Sequence, residues 1–215
     1  MKIDLHIHSK YSRGNLGLCD CSQELSHIIK AVRKKGLQGF SIADHNNILA
    51  NEKIKRLVPK DMIYIKGSEI TSKDGHILAY GINEKIKKWL SGIETIEKIK
   101  KQGALAIVAH PFNVYGYSKK KDLKRFDGIE VFNSAVFGNK KSLAAAKKIN
   151  CCMTAGSDAH ISHRVGNAFI IVENASCEDD VLNLIRKKKN QFYGIQDKPI
   201  STEIKQSLCA LKKII

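Results

Sequence analysis

Histidine residues stand in this sequence at the ends of short apolar runs, where a folded chain can use them for chemistry. In the segment DLHIH at 4–8, His6 and His8 are two residues apart, and on a β-strand this spacing points both imidazoles to one face. Neutral imidazole is the commonest metal ligand in proteins, so the pair forms half of a metal site. By itself the spacing also fits a half-exposed strand that binds no metal.

The same residue types recur beside other apolar runs. Acidic or imidazole side chains follow or open these runs at Asp44, His45, Glu69, His76, His110, Asp158 and His160. In a parallel barrel the carboxyl ends of the strands share one rim, so we expect these residues to converge there. Six imidazoles and three carboxylates exceed the needs of one ion and predict two or three divalent cations. Such donors suit Zn, Mn or Fe, and a buried Glu69 is suited to bridge two cations.

Strands and helices must carry these residues to one place. Short apolar runs predict eight buried strands, at residues 3–7, 39–43, 62–66, 76–80, 105–109, 128–132, 151–155 and 168–172. Helical patterns fall between many of them: one has an apolar stripe over 25–32 with Ser22 as its N-cap, and others lie at 93–101, 140–149 and 176–185. This alternation favours a compact β/α barrel, with an open doubly wound sheet as the alternative.

The composition is that of an ordinary globular protein. The 215 residues are 43% apolar and 27% charged, and no stretch approaches the roughly 20 apolar residues that a membrane-spanning helix needs. The first residues form no apolar signal block, so we expect a cytoplasmic protein without a membrane partner. We also expect one domain over 1–215, with apolar positions over 204–215 forming a C-terminal helix, at about 201–215, that docks on it.

The formal charge of +16 comes from 31 Lys and only six Arg. Charge runs of this kind usually form a solvated surface. The alternative is attraction of polyanions, which would serve a small phosphorylated substrate or a nucleic acid equally.

Seven segments together resemble the PHP family, named for polymerase and histidinol phosphatase. They are DLHIHSKYS at 4–12, ADHN at 43–46, GSEI at 67–70, GHILAYG at 75–81, AHP at 109–111, GIEVFN at 128–133 and GSDAH at 156–160. The resemblance implies a distorted (βα)7 TIM-like barrel with up to three divalent metals that hydrolyse phosphoesters. It implies three ligand sets: His6, His8, Glu69 and Asp158 for the first metal; Glu69, His76 and His110 for the second; and His45 and His160 for the third.

One position departs from the family pattern. Family members usually carry Asp or His five or six residues after the second histidine of the H-x-H pair, as a further ligand of the third metal. Arg13 and Gly14 occupy those positions here, and arginine cannot bind a cation. Asp20 or water fills the gap, or the third site is weak. Arg13 is instead an expected substrate-phosphate ligand, with an ordinary surface arginine as the alternative.

These observations predict a metal-dependent phosphoesterase that hydrolyses a small phosphomonoester, such as a nucleotide, a nucleoside bisphosphate or a phosphorylated metabolite, through a metal-activated hydroxide. Asp44, Asp158 and His160 are the expected catalytic groups, and His163 and Arg164 join Arg13 as expected substrate-binding residues. A loop over 112–126 is expected to close over the substrate, with Tyr115 or Tyr117 against a ring and the lysines at 119–121 near phosphate. The alternatives are a 3′–5′ exonuclease, a metal-dependent amidohydrolase and a non-catalytic structural module. The sequence leaves the oligomeric state open.

Overall fold

A computed structural model describes residues 1–197 and shows a nine-stranded sheet covered by helices. All eight predicted strands are present. The strands are β1 (Lys2–Ile7), β2 (Gly39–Ile42), β3 (Ile63–Ser72), β4 (Gly75–Tyr80), β5 (Leu105–Val108), β6 (Gly128–Asn133), β7 (Cys152–Gly156), β8 (Ala168–Val172) and β9 (Asn190–Gly194). The helices are α1 (Leu25–Lys34), α2 (Leu49–Lys53), α3 (Gly92–Lys101), α4 (Asn139–Ile149) and α5 (Glu178–Arg186).

The sheet is mixed, so the expectation of an all-parallel sheet is wrong. Its strand order is β7-β6-β5-β4-β3-β2-β1-β8-β9, with β4 antiparallel to both neighbours and β8 antiparallel to β1 and β9. Only two residues separate Ser72 from Gly75, whereas a parallel crossover needs a dozen or more. Gly75 has φ +122, and a Cβ there would lie 2.6 Å from the carbonyl oxygen of Gly116, which explains the glycine in this hairpin.

The sheet curls into a nearly closed α/β barrel, which confirms the predicted TIM-like fold class. Ile7, at the end of β1, forms a parallel bridge with Ala159, just beyond β7. The amide of His8 donates a 3.0 Å hydrogen bond to the carbonyl oxygen of Ala159. These contacts bring β1 and the segment after β7 to one end of the barrel.

Apolar packing fixes the helices on the outside of the sheet. In α1, the predicted stripe is confirmed, because Leu25, Ile28 and Val32 are buried against Phe40 and Ile42 of β2. The helix begins after Glu24 rather than after Ser22. A second apolar cluster packs α3 on β4 and β5, and a third fills the barrel interior from Leu5, Ile65, Leu78 and Ile107.

Before α5, the amide and hydroxyl of Ser176 both donate to the carboxylate of Asp180, at 2.9 and 2.6 Å. The helix expected at about 201–215 lies outside the described residues. Within residues 1–197, every helix is too short or too polar to cross a bilayer.

Candidate metal centre

The structure brings all eight predicted metal ligands together at one end of the barrel. β1 carries His6, and His8 follows it; His45 follows β2, His110 follows β5, and Asp158 and His160 follow β7. Glu69 lies within β3, and His76 is the second residue of β4. Because β4 runs antiparallel, its first residues, and not its last, reach this rim.

The first cluster joins four side chains whose donor atoms surround one point. His6 Nε2 lies 3.1 Å from both His8 Nε2 and Glu69 Oε2, and 3.5 Å from Asp158 Oδ1. His8 Nε2 lies 3.1 Å from Asp158 Oδ1 and 3.4 Å from Glu69 Oε2. Two ligands about 2.1 Å from a tetrahedral zinc stand about 3.4 Å apart, so these spacings fit a single divalent ion.

Glu69 also faces a second set of imidazoles. Glu69 Oε1 lies 3.0 Å from both His76 Nδ1 and His110 Nε2, and Glu69 Oε2 lies 3.3 Å from His45 Nδ1. The Nδ1 atoms of His45 and His76 are buried without a hydrogen-bond partner among residues 1–197. Both nitrogens therefore approach the carboxylate as ligands of a common ion do, and the carboxylate is placed to bridge two ions.

Outer hydrogen bonds set which nitrogen of each imidazole carries a proton. Glu130 Oε1 lies 2.8 Å from His6 Nδ1, and Asn15 Oδ1 lies 3.0 Å from His76 Nε2. A carboxylate can only accept, and the amide oxygen of Asn15 likewise accepts, so these ring nitrogens donate. His6 Nε2 and His76 Nδ1 are then left with lone pairs directed toward Glu69, as metal-bound imidazoles require.

Electrostatics also favour positive charge in the cluster. Burial alone would lower the pKa of His8, but its hydrogen bonds to Asp158 and Glu69 outweigh burial and raise the pKa to about 10. Burial would raise the pKa of Glu69, but the facing imidazoles, His45 and His76 foremost, hold that pKa well below its usual range. Buried carboxylates thus attract protons where cations would bind, and metal binding must displace those protons.

Sequence reasoning missed Glu130, which joins three parts of the centre. Besides holding His6, it accepts the amide hydrogen of His110 at 3.0 Å and the side-chain amide of Asn133 at 3.1 Å, both through Oε2. Asn133 also donates to Asp158 Oδ2 at 3.1 Å. The available signal was a carboxylate inside the apolar run GIEVF, at a strand position that is 1% exposed.

Two other buried carboxylates hold backbone in place. Asp4 accepts hydrogen bonds from the amides of His6, Ser157 and Gly166, at 3.2, 2.9 and 2.8 Å, and so joins β1 to the segment after β7. Asp44, one of the expected catalytic groups, accepts hydrogen bonds from the amide and hydroxyl of Ser9, each at 2.6 Å. Burial raises the pKa of each carboxyl to about 6. Asp44 is therefore a positioning residue.

The predicted substrate-binding residues lie in different environments. Arg13 is half-buried and its Nη1 donates to the carbonyl oxygens of Lys10 and Ser12, at 3.2 and 2.8 Å. His163 is exposed. Arg164 departs from the expectation, because its side chain is buried and forms an ion pair with Asp197. Tyr117 is also fully buried, so it cannot contact a substrate ring.

Comparison with known proteins agrees with this geometry. Residues 137–190 match the family described as PHP-associated. A stretch of 142 residues is 42% identical to an uncharacterized protein of Methanocaldococcus jannaschii, MJ1587, covering 62% of this chain and 82% of that relative. The barrel is similar to a two-domain protein from Bacteroides vulgatus that contains a predicted PHP-like metal-dependent phosphoesterase. The two structures superpose with a TM-score of 0.69 at 18% sequence identity, and the match covers 97% of this chain and 69% of that one. This chain belongs to the PHP family.

A further solved structure with a similar fold contains DNA. Endonuclease Q, in complex with a 27-mer duplex carrying an abasic lesion at its active site, matches with a TM-score of 0.66 and 19% identity, over 91% of this chain and 60% of that one. At this identity the likeness shows a shared fold.

Proposed function

We propose that this PHP protein is a metal-dependent phosphoesterase that hydrolyses a small phosphomonoester. The observation that carries the proposal is the buried Glu69 carboxylate, because its Oε2 atom lies 3.1–3.4 Å from three imidazole nitrogens and its Oε1 atom lies 3.0 Å from two others. Such a pair of donor sets suits two divalent cations, of which Mn, Zn and Fe match the ligand types. When bound, the cations supply Lewis-acid polarisation of a phosphoryl oxygen and lower the pKa of water at the site.

The protein's own side chains are proposed to bind and orient the substrate. Lys120 Nζ donates to the carbonyl oxygen of Pro111 at 2.6 Å, directly after His110, and Lys88 Nζ donates to the carbonyl oxygen of Asn15 at 3.2 Å. With Arg13, these groups place positive charge around the rim, where an anionic phosphate is attracted. Asp158 and His160 are proposed to act on the phosphate through the cations that they hold.

An exposed aromatic ring favours a substrate with a planar group. Tyr115 is 58% exposed, and its ring stacks on His76 with centroids 5.7 Å apart and planes 12° from parallel. One such platform suits a nucleotide or nucleoside bisphosphate, whereas binding along a single strand uses a series of stacked bases. Sugar phosphates remain within the proposed class, because they need only the cations and the basic rim.

A nuclease activity is the second candidate, and the similarity to Endonuclease Q and the +16 charge support it. Both candidates use the same metal centre and differ in how many phosphates the protein contacts. A ligand held at one or two phosphates shows a shallow dependence of binding on salt, whereas each further phosphate contact steepens it.

The deciding experiment assays phosphate release and chain shortening side by side. The full chain is loaded with Mn, Zn or Fe and tested on nucleotides, nucleoside bisphosphates, sugar phosphates and short oligonucleotides, with Asp158→Asn as the inactive control. We expect phosphate release from a small substrate, lost in the variant, with a KM that changes little between 50 and about 200 mM salt. Efficient shortening of oligonucleotides with steep salt dependence, and no turnover of small substrates, would favour the nuclease. Inactivity on every substrate with every metal would reject both.

A further inference from the structure

The turn between β3 and β4 contacts the segment that follows His110. The turn contains Asp74, two residues before His76, and the segment over 111–119 carries Tyr115. His76 and His110 are both candidate metal ligands, so the turn and the segment lie at the end of the barrel where those ligands meet. Contacts between them can therefore set what a substrate meets beside the metal centre.

Backbone contacts place the ring of Tyr115 over His76. The amide of His76 donates to the carbonyl oxygen of Tyr115 at 3.1 Å. The chain turns tightly at Gly116, where a Cβ would lie only 2.4 Å from the carbonyl oxygen of His110. The tyrosine ring stacks on the imidazole with planes 12° from parallel, and it is 58% exposed, so its outer face is open to solvent.

Asp74 joins the turn to the segment through its main chain and its side chain. Its carbonyl oxygen accepts hydrogen bonds from the amide and the hydroxyl of Ser118, at 2.7 and 3.2 Å. Its Oδ1 atom forms an ion pair with Lys119 Nζ at 2.8 Å. The main-chain contacts need no particular side chain at 74 or 119, so the ion pair is the contact that depends on these two residue types.

The start of α3 fixes the carboxylate that Lys119 contacts. Asp74 Oδ2 accepts the amide hydrogen of Gly92, the first residue of α3, at 2.7 Å. Ser91 and Glu94 cap the same helix reciprocally, so the helix start is stabilised without Lys119. The Asp74 side chain is 9% exposed and that of Lys119 is 50% exposed. A nearly buried anion in a fixed position thus faces a lysine that belongs to the segment over 111–119.

We propose that the Asp74–Lys119 ion pair is a latch that positions Tyr115 and thereby sets the preference for substrates with a planar ring. The inference rests on the proposed function, because the position of Tyr115 matters to catalysis only if a substrate binds at the metal centre. Restraining a binding group before the substrate arrives lowers the cost of ordering it on binding. Asp74 and Lys119 act through Tyr115, so they are positioning residues that need no contact with the substrate.

Steady-state kinetics on two substrates distinguish this latch from a direct phosphate contact of Lys119. The metal-loaded full chain is compared with Lys119→Met, Asp74→Asn and the double variant, on a nucleotide and on a sugar phosphate. Asparagine at 74 keeps an oxygen for the amide of Gly92. Each single variant should raise the KM for the nucleotide about two- to fivefold, the range that a half-exposed ion pair supplies, and leave its kcat unchanged. The KM and kcat for the sugar phosphate should not change in either variant.

Further variants separate the latch from damage to the fold. The double variant should match each single variant, because both substitutions remove the same pair. Lys119→Arg keeps the charge and should retain the wild-type KM. The control Lys124→Met removes an exposed charge five residues further along and should change neither KM value. In a Tyr115→Ala background, Lys119→Met should have no further effect.

Hydrogen exchange tests the latch without any substrate. Peptides over 111–119 should exchange faster in Lys119→Met than in the wild type or Lys124→Met, while peptides from β1 should exchange equally in all three proteins. Unchanged exchange with unchanged KM values would overturn the latch, and so would an equal rise in KM for both substrates. If the wild type hydrolyses no substrate, the proposed function fails, and the exchange rates alone then decide whether the ion pair restrains the segment.

Discussion

Replacing Glu130 with Gln tests whether an outer carboxylate controls the metal centre. Glu130 Oε1 accepts from His6 Nδ1, while Oε2 accepts from the amide of His110 and the side chain of Asn133. Glutamine has nearly the same shape but only one accepting oxygen, and its amide nitrogen donates. In either orientation of the amide, at least one of these donors therefore meets another donor.

The size of the effect follows from which contact is lost. An unsatisfied buried donor costs about 1–3 kcal/mol, so the free energy of unfolding should fall by that amount. If the amide nitrogen faces His6, the ring loses the acceptor that fixes its proton on Nδ1 and directs Nε2 to the cation. Loss of such outer contacts weakens metal affinity or activity by about 10- to 100-fold, which we expect here for the site of His6 and His8.

Metal competition with a chromogenic chelator measures the affinity, and thermal unfolding of the metal-free protein measures the stability. Glu97→Gln is the matched control, because Glu97 is exposed on α3, away from the centre. A Glu130→Gln protein with wild-type metal affinity and wild-type unfolding would refute the proposed role of Glu130. A lower free energy of unfolding with unchanged metal affinity would show that Glu130 stabilises the fold without affecting the metal centre.

Three further predictions address the centre and its rim. Glu69→Gln should release metal and lower activity by at least about 100-fold, because both clusters lose a shared negative charge; full metal content with normal turnover would contradict bridging. Chelator-treated protein should lose stability as pH rises from about 6.5 toward about 10, because the raised pKa of His8 stabilises the fold only while His8 is protonated. The metal-loaded protein should lack this pH dependence in thermal unfolding. Tyr115→Ala should raise the KM for a nucleotide several-fold but leave the KM for a sugar phosphate unchanged. The control Tyr193→Ala, on the exposed face of β9, should change neither KM value. Equal effects of Tyr115→Ala on both substrates would exclude stacking.

Several elements were predictable because their burial leaves a clear pattern. Continuous apolar runs identified the strands that are buried on both faces. The short, partly exposed strand β9 (NQFYG) and the helix α2 were missed, since neither has a long apolar run or a strong period. Strand direction was not predictable from alternation alone, because the hairpin between β3 and β4 depends on a two-residue turn that repeated strand–helix alternation does not indicate.

The candidate ligands were predictable and the groups that hold them were not, for a physical reason. A metal ligand must be one of a few residue types at a strand end, so it is visible in the sequence. A supporting group such as Asn15 or Asn133 needs only an oxygen or nitrogen at the correct distance, and many residue types offer one.

The reversed strand β4 explains how one carboxylate can serve two clusters. Cross-strand pairing sets Thr71 opposite His76, so Glu69, two residues from Thr71, is a diagonal neighbour of His76 on the same face. On its other side Glu69 forms a parallel bridge with His45 at the end of β2. A parallel strand in place of β4 would bring its carboxyl end, and not its first residues, to this rim. The antiparallel turn therefore places His76 beside Glu69, and the bridging geometry depends on that reversal as much as on the ligand types.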